Sequence, residues 1–391
     1  MIFPAIYRPL STRRMLRAST FALLLALLAP PLLAQPSADS TLADSTLANA
    51  YRIFRPDGER ARLDDVVTAM DAVEVVFVGE DHDDPVAHHL QGELLAQAYE
   101  RFATGAAARP LTLSMEIFES DLQPVLDEYL LRLISEKHFL RSIHPPKNYE
   151  TDYKPLVEFA KAHRLPMLAA NAPRRYVNRV SRKGPSALDT LSVWAKSWLP
   201  PLPYPGPSPE YEARWNQMMA EMMNPEKEEA EDDAEADDST TAHRAHHDPE
   251  ATDSTATHPP EKTRGAEHEN TADEANTPEA APLASHGMNM SYLLDAQALW
   301  DAAMAHNVSQ HLRDTPDVLV LHVVGSFHVE GGWGTPAQLK TYRPGTRLLI
   351  VIIKAVDDIE TFDAEQYGDL GDFVILTDKS LPRSYEPSFG Q

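Results

Sequence analysis

The sequence predicts an α/β protein: a mainly parallel sheet flanked by helices, with a helical cap subdomain and a long disordered acidic insertion. Three observations predict it. Six short apolar runs rich in Val, Ile and Leu are spread along the chain. Helical patterns fill the spaces between them. One stretch, residues 225–280, lacks every aromatic and every Leu, Ile and Val. Strands that alternate with helices build parallel neighbours through right-handed crossovers, and short β-branched runs suit strands buried on both faces.

The elements follow in order. Residues 1–34 read as a secretory signal peptide: Arg8, Arg13, Arg14 and Arg17 precede the apolar "FALLLALLAPPLLA", with a small-residue cleavage site before Gln35. That stretch is too short and too proline-broken for a membrane span. The protein is therefore expected to be periplasmic or secreted, and soluble after cleavage. Residues 35–50, with the repeat "ADSTLADSTLA", read as a flexible spacer. One discontinuous domain is expected over 51–224 and 286–380. Its strands are "VEVVFVG" (73–79), "LTLSME" (111–116), "PMLAANA" (166–172), "VLVLHVVG" (318–325), "RLLIVIIKAV" (347–356) and "DFVILTD" (372–378).

Between them, Asp84 caps and Pro85 starts a helix through Phe102. Ser120 precedes a helix running "DLQPVLDEYLLRLISEKHF", and 148–164 carries apolar positions at helical spacing. "APRRYVNRVSRKG" ends on Gly184 as a C-cap. The proline-rich 199–209 leads into a methionine-rich helix, and "SYLLDAQALWDAAMAHNVSQHL" is a long late helix. The insertion, 225–285, separates the two halves. Its 225–280 portion holds 18 Asp or Glu against 4 Lys or Arg, and nothing in it larger than Ala is aliphatic enough to offset ordering entropy. It reads as a solvated tether; its five histidines, His243, His246, His247, His258 and His268, admit a weak divalent-cation buffer as the alternative.

Composition excludes several chemistries. The chain has no cysteine, so disulfides, thiolate ligands, a cysteine nucleophile and a lipid-anchor cysteine are all ruled out. Formal net charge is −24, which repels nucleic acid and anionic lipid at long range.

The chemistry collects at strand ends. The first run ends in Gly79, Glu80, Asp81 and His82, the second in Glu116, the third in Asn171 and then Arg174, the fourth in Gly325 and His328. In an open parallel sheet, ligands bind outside the carboxyl ends of the strands, so Glu80, His82, Glu116, Arg174 and His328 are expected in one crevice. The repeated Gly-x-x-His pattern is short enough to recur by accident; its position after two apolar runs is what singles it out. A Glu116–Arg174 ion pair is the purely structural alternative. One of His88 and His89 can reach the crevice, hardly both. His322, inside a strand, reads as a core histidine. Asp301, with His306 near it, reads equally well as a solvated helix face.

The motifs "GEDHDDPVAHH", "SMEIFESDLQPVLDEYL", "YKPLVEFAKAHRLPMLAANAPRRYVNRVSRKG", "DAQALWDAAMAHNV" and "VVGSFHVEGGWGTPAQL" together resemble the ChaN-like haem-binding family, within the larger Tiki, TraB and erythromycin-esterase-like group. The resemblance covers about residues 60–200 and 288–356. It implies haem binding in iron uptake, a haem held between two subunits of a homodimer, and outer-membrane uptake machinery as a partner. Haem needs an apolar slot, an axial ligand and basic groups; Tyr149, Tyr153 and Tyr292 are the candidate axial ligands, and Met218, Met219, Met222 and Met223 offer soft surface or simple packing. The wider group implies an alternative: a hydrolase in which His82, His328 and Glu116 hold a divalent metal, with Glu80 or Glu116 as general base, or in which His82 is itself the base. No Gly-x-Ser-x-Gly or His-Glu-x-x-His motif is present. The chain departs from the family in lacking a lipid-anchor cysteine, in its acidic insertion, and in replacing a family tryptophan near Lys147 and Asn148.

Overall fold

The computed structural model describes residues 47, 49–105, 108–222 and 292–385. The expected signal peptide, most of the spacer and the acidic insertion lie outside the described residues. Eight strands make one sheet: β1 (Tyr51–Phe54), β2 (Arg60–Ala61), β3 (Val75–Glu80), β4 (Leu111–Glu119), β5 (Met167–Asn171), β6 (Leu319–Gly325), β7 (Leu348–Val356) and β8 (Phe373–Asp378). Their order is β2-β1-β8-β7-β3-β6-β4-β5. Every pairing from β8 to β5 is parallel. β1 pairs antiparallel with β8, and β2 antiparallel with β1. The six apolar runs are the six parallel strands; β1 and β2, of four and two residues, are too short to carry a pattern.

The helices are α1 (Leu63–Ala69), α2 (Pro85–Ala98), α3 (Gln123–Leu130), α4 (Glu136–Ile143), α5 (Lys154–His163), α6 (Arg174–Lys183), α7 (Val193–Lys196), α8 (Pro209–Met222), α9 (Leu293–Asp314), α10 (Thr335–Tyr342) and α11 (Ala364–Tyr367). Asp84 caps α2 by accepting from the Val86 amide at 2.9 Å, with Pro85 at the first helical position. The single helix expected through "DLQPVLDEYLLRLISEKHF" is instead α3 and α4. Arg132 turns the chain with φ 62°, and the Ser135 hydroxyl accepts from the His138 amide to start α4. The apolar periodicity misleads here because Leu131 and Leu133 are both 70% exposed.

The runs are continuous rather than alternating because helices cover both faces of the sheet. Along β3, Val76 and Val78 join one core with Leu90 and Leu94 of α2. Val75 and Phe77 join another with Met304 and Val308 of α9. Parallel register then sets the carboxyl edge: Glu80 lies opposite Gly325, while Gly79 lies between Val324 and Ile352. Gly79 is required by space, since a Cβ there would sit 2.7 Å from Val329 Cγ2 and 3.0 Å from the Ser326 Cα.

Candidate functional site

β3 delivers Glu80 to the carboxyl edge at 3% exposure. Its carboxylate is surrounded by donors. Oε1 lies 3.0 Å from His82 Nδ1 and accepts from the Tyr153 hydroxyl at 2.7 Å. Oε2 lies 3.1 Å from His88 Nδ1 and accepts from the Gln91 side-chain amide. Burial alone would raise the Glu80 pKa; the charge on His88 and the bonds from His82 and His88 outweigh it and hold the carboxyl well below its ordinary range. The same balance works in reverse on His88. Burial opposes its charge, yet Glu80 and Asp152 push its pKa up to about 9. His88 Nε2 also reaches the His82 carbonyl at 3.0 Å, and the Asn148 side chain donates to that carbonyl at 2.8 Å. The loop bearing His82 is thus fixed from α2 and from the segment before α5.

A second group forms around His328. Its Nδ1 lies 2.9 Å from Asp301 Oδ1, and its Nε2 lies 3.6 Å from Glu116 Oε1. Asp301 Oδ1 also accepts from the Thr335 hydroxyl at 2.7 Å. Burial opposes charge on His328, but the two carboxylates push its pKa up to about 9. Burial would raise Glu116; His328, His82 and the Gly325 amide, which donates to Oε2 at 2.7 Å, hold it low instead.

Gly325 joins the two groups. A Cβ on it would stand 3.0 Å from His82 Nε2 and 3.4 Å from Glu116 Oε2. Glu80, His82, Glu116 and His328 therefore meet at one edge. His82, with 35% of its side chain exposed, is the member that solvent reaches; Glu80, Glu116 and His328 are buried. Carboxylates and imidazoles neutralise each other, which is how so many charges are tolerated with little water.

Arg174 is not in this set. Its Nε stands 3.6 Å from Glu119 Oε1, so the expectation that Arg174 joins the crevice is not met, and the alternative Glu116–Arg174 ion pair gives way to Glu119–Arg174. The reason is that β4 continues three residues past Glu116, and Glu119 is the carboxylate level with Asn171 on β5. Metal binding by His82, His328 and Glu116 finds no support either. Among the described residues no group of three or more His, Asp or Glu is arranged to hold a metal ion.

The tyrosines divide. Tyr149 and Tyr153 are 3% and 2% exposed and belong to the main core. Burial, then nearby carboxylates, push both hydroxyls above the ordinary phenol range, against the phenolate form. In this structure both rings lie in the core. Tyr292 is half-buried, at the start of α9, with its ring against Gly184. His322 is a core residue: its Nδ1 lies 2.8 Å from the Ser114 hydroxyl, and burial lowers its pKa to about 4. His306 contributes no bond to Asp301 and stacks edge-on against Tyr342.

Sequence reading missed a third cluster beside the first two. Lys354, at the end of β7, approaches Glu330 Oε1 at 2.6 Å, Ser326 Oγ at 2.8 Å and Asp81 Oδ1 at 3.3 Å. Arg214 of α8 donates to Glu330 Oε2 at 3.1 and 3.2 Å. A lysine closing the run "LLIVIIKAV" was its signal.

These charges give a pH signature. His88 and His328 have folded pKa values raised from about 6.5 to about 9. Their stabilisation is complete below pH ~6.5 and is lost as pH rises through ~9. Glu80 and Glu116 are lowered, so theirs is present above pH ~4.5 and lost on acidification through the folded values. A thermal midpoint measured across pH should plateau near pH 5–6.5 and fall by several degrees toward pH ~9. A midpoint that keeps rising over that alkaline range contradicts the charge assignments.

Fold and site together define an α/β protein with a mainly parallel sheet and a paired acid–imidazole cluster at its carboxyl edge. The family model for haem-binding uptake proteins of the Tiki superfamily, ChaN, matches residues 66–339, and the chain belongs to that family. Among solved structures it is similar to the one described as cofacial heme binding to ChaN of Campylobacter jejuni, at 13% identity and a TM-score of 0.51, covering 84% of this chain and 97% of that one. At that identity the likeness bears on the fold alone. No curated protein matches the chain. No helix among the described residues is long and apolar enough to cross a membrane.

Proposed function

We propose that this protein binds haem in an iron- or haem-uptake role, with Tyr292 as the axial ligand. The observation that carries the reading is the family match across 66–339. The residues present fit the group in one place. Tyr292 alone of the three candidate tyrosines keeps a partly exposed ring, and it lies against the end of α6, where Arg182 and Lys183 are exposed. A tyrosine oxygen can ligate ferric haem, and basic side chains pair with propionates. When bound, the haem supplies the iron; the chain's part is to hold the ring and exclude competing ligands. The related Campylobacter jejuni structure is one of cofacial haem binding, and a matching arrangement here would bring two copies of the chain together, each with its own group. Delivery from outer-membrane uptake machinery, after export, completes the proposed role.

Haem titration of the full chain should shift the Soret band, and Tyr292→Phe should weaken binding by at least about tenfold and change the ferric spectrum, since a ligand bond is lost. His82→Ala should leave both unchanged. If His82→Ala abolishes the shift and Tyr292→Phe does not, the haem lies at the crevice and the Tyr292 assignment fails.

A second reading, metal-free acid–base hydrolysis at the crevice, is favoured by one observation. His82 is accessible, with Nδ1 held by Glu80 and its far edge toward Gly325 and Glu116, the geometry of an oriented general base. Turnover of a panel of simple esters that His82→Ala removes would support it; turnover that survives the substitution would not.

A further inference from the structure

The most exposed large apolar side chains among the described residues are Val193, at 88%, and Trp194, at 71%. They open α7, a single turn held in place from below. Ser192 caps it by accepting from the Ala195 amide at 3.1 Å, Ala195 and Leu199 are buried, and Trp194 meets Trp198 edge-on at 5.4 Å. The two side chains are therefore presented on a fixed platform rather than on a loose loop. The charge around them is the reverse of the rest of the chain. Residues 174–204 contain Arg174, Arg175, Arg179, Arg182, Lys183 and Lys196, with Asp189 as their single carboxylate, in a chain of formal net charge −24. Arg174 and Arg175 face Glu119 and Asp121. Arg179 and Lys196 are held differently. Arg179 donates to the Ala187 carbonyl and the Thr190 hydroxyl, both at 2.9 Å, and Lys196 donates to the Asp189 carbonyl at 2.8 Å. These bonds hold two full positive charges beside the turn that leads into Val193.

We propose that the α6–α7 unit is a membrane-docking surface, in which Val193 and Trp194 enter the interface of an anionic lipid bilayer while Arg179 and Lys196, held beside them, pair with its headgroups. The occupant follows from the combination. Tryptophan has an apolar body and one donor, which suits the headgroup level of a bilayer. Cations beside a wedge of apolar side chains suit an anionic surface, where each adds attraction that decays within a Debye length. That short range is why the acidic bulk of the chain does not forbid it: at physiological salt, charges more than ~8 Å away are largely screened. A soluble protein partner would more often pair exposed cations with a carboxylate surface, and nothing about the patch selects one. The inference does not rest on haem binding.

The test is sedimentation of the full chain with vesicles of three parts phosphatidylcholine to one part phosphatidylglycerol, beside pure phosphatidylcholine vesicles. Binding is expected to the mixed vesicles at low salt, with a blue shift in tryptophan emission that Trp194→Phe reduces. Val193→Ser with Trp194→Ser should weaken it at least about tenfold, given the apolar area withdrawn, and Lys196→Glu should weaken it and flatten its salt dependence. Circular dichroism and the haem titration should be unchanged in these variants. The proposal is overturned if the wild-type chain ignores the mixed vesicles, if it binds both vesicle types equally, or if binding survives the double substitution. It is also overturned if that substitution instead removes a concentration-dependent dimer seen by sedimentation velocity, or abolishes the Soret shift, since the patch would then belong to a subunit contact or to the haem.

Discussion

Replacing Glu80 by Ala should lower the unfolding free energy by about 3–5 kcal/mol, the range for breaking a buried charge network by removing one partner. Glu80 is the common acceptor for His82, His88, Gln91 and Tyr153. Removing it leaves His88 buried with its charge opposed only by Asp152, 3.4 Å from Nε2. It also leaves the Tyr153 hydroxyl and the Gln91 amide without their acceptor at almost no exposure. Glu80→Gln keeps the shape and one acceptor oxygen, but turns an amide donor toward other donors and removes the charge, so it should fall between wild type and Glu80→Ala. Urea unfolding with unchanged slope is the measurement. A loss below about 1 kcal/mol for Glu80→Ala would mean that the network does not bear on stability.

Asp301→Ala should cost a comparable ~3–5 kcal/mol and change the titration of a neighbour. Asp301 is 1% exposed and serves two donors, His328 Nδ1 and the Thr335 hydroxyl. Burial already works against charge on His328, and Asp301 is the first of the two carboxylates that overcome it. Without Asp301, the His328 pKa should fall from about 9 to nearer its ordinary 6.5, with Glu116 still close by. Proton NMR of the His328 ring in Asp301→Asn, which keeps the volume, separates this from mere loss of packing. An unchanged titration in that variant would assign the raised pKa to Glu116 alone.

Much of the sheet was legible because a strand buried on both faces leaves an uninterrupted apolar run, and six such runs mark the six parallel strands. The meeting of Glu80, His82, Glu116 and His328 was legible for the same reason: parallel strands share a carboxyl edge, whatever their separation in sequence. What sequence could not fix is rotation and length. Asp301 lies on a helix, and whether it faces water or His328 depends on how α9 rolls against β5 and β6. Arg174 was paired with the wrong glutamate because the end of β4 is not marked by any breaker between Glu116 and Glu119. Asn148, noticed only as a replacement, proves to hold the His82 carbonyl. Sequence could not separate the buried Tyr149 and Tyr153 from the half-buried Tyr292, because an aromatic hydroxyl reads the same whether it lies in the core or nearer the surface.

The strand order has a consequence for how the chain reaches its folded state. β3 lies at the middle of the sheet, and both its neighbours, β6 and β7, come from beyond residue 318. An N-terminal portion ending before β6 can pair β4 with β5, but it leaves β3 bare along both sides. It also leaves β4 bare along the side that β6 later covers. Such open edges are templates for pairing with other chains, and closing them across more than two hundred residues makes folding slow. Emerging chains are thus most vulnerable to aggregation in the interval before the last fifth of the chain is available. Export that delivers the polypeptide unfolded and in order would lengthen that interval, so a holding chaperone should raise the yield of this protein more than that of one whose sheet is completed early.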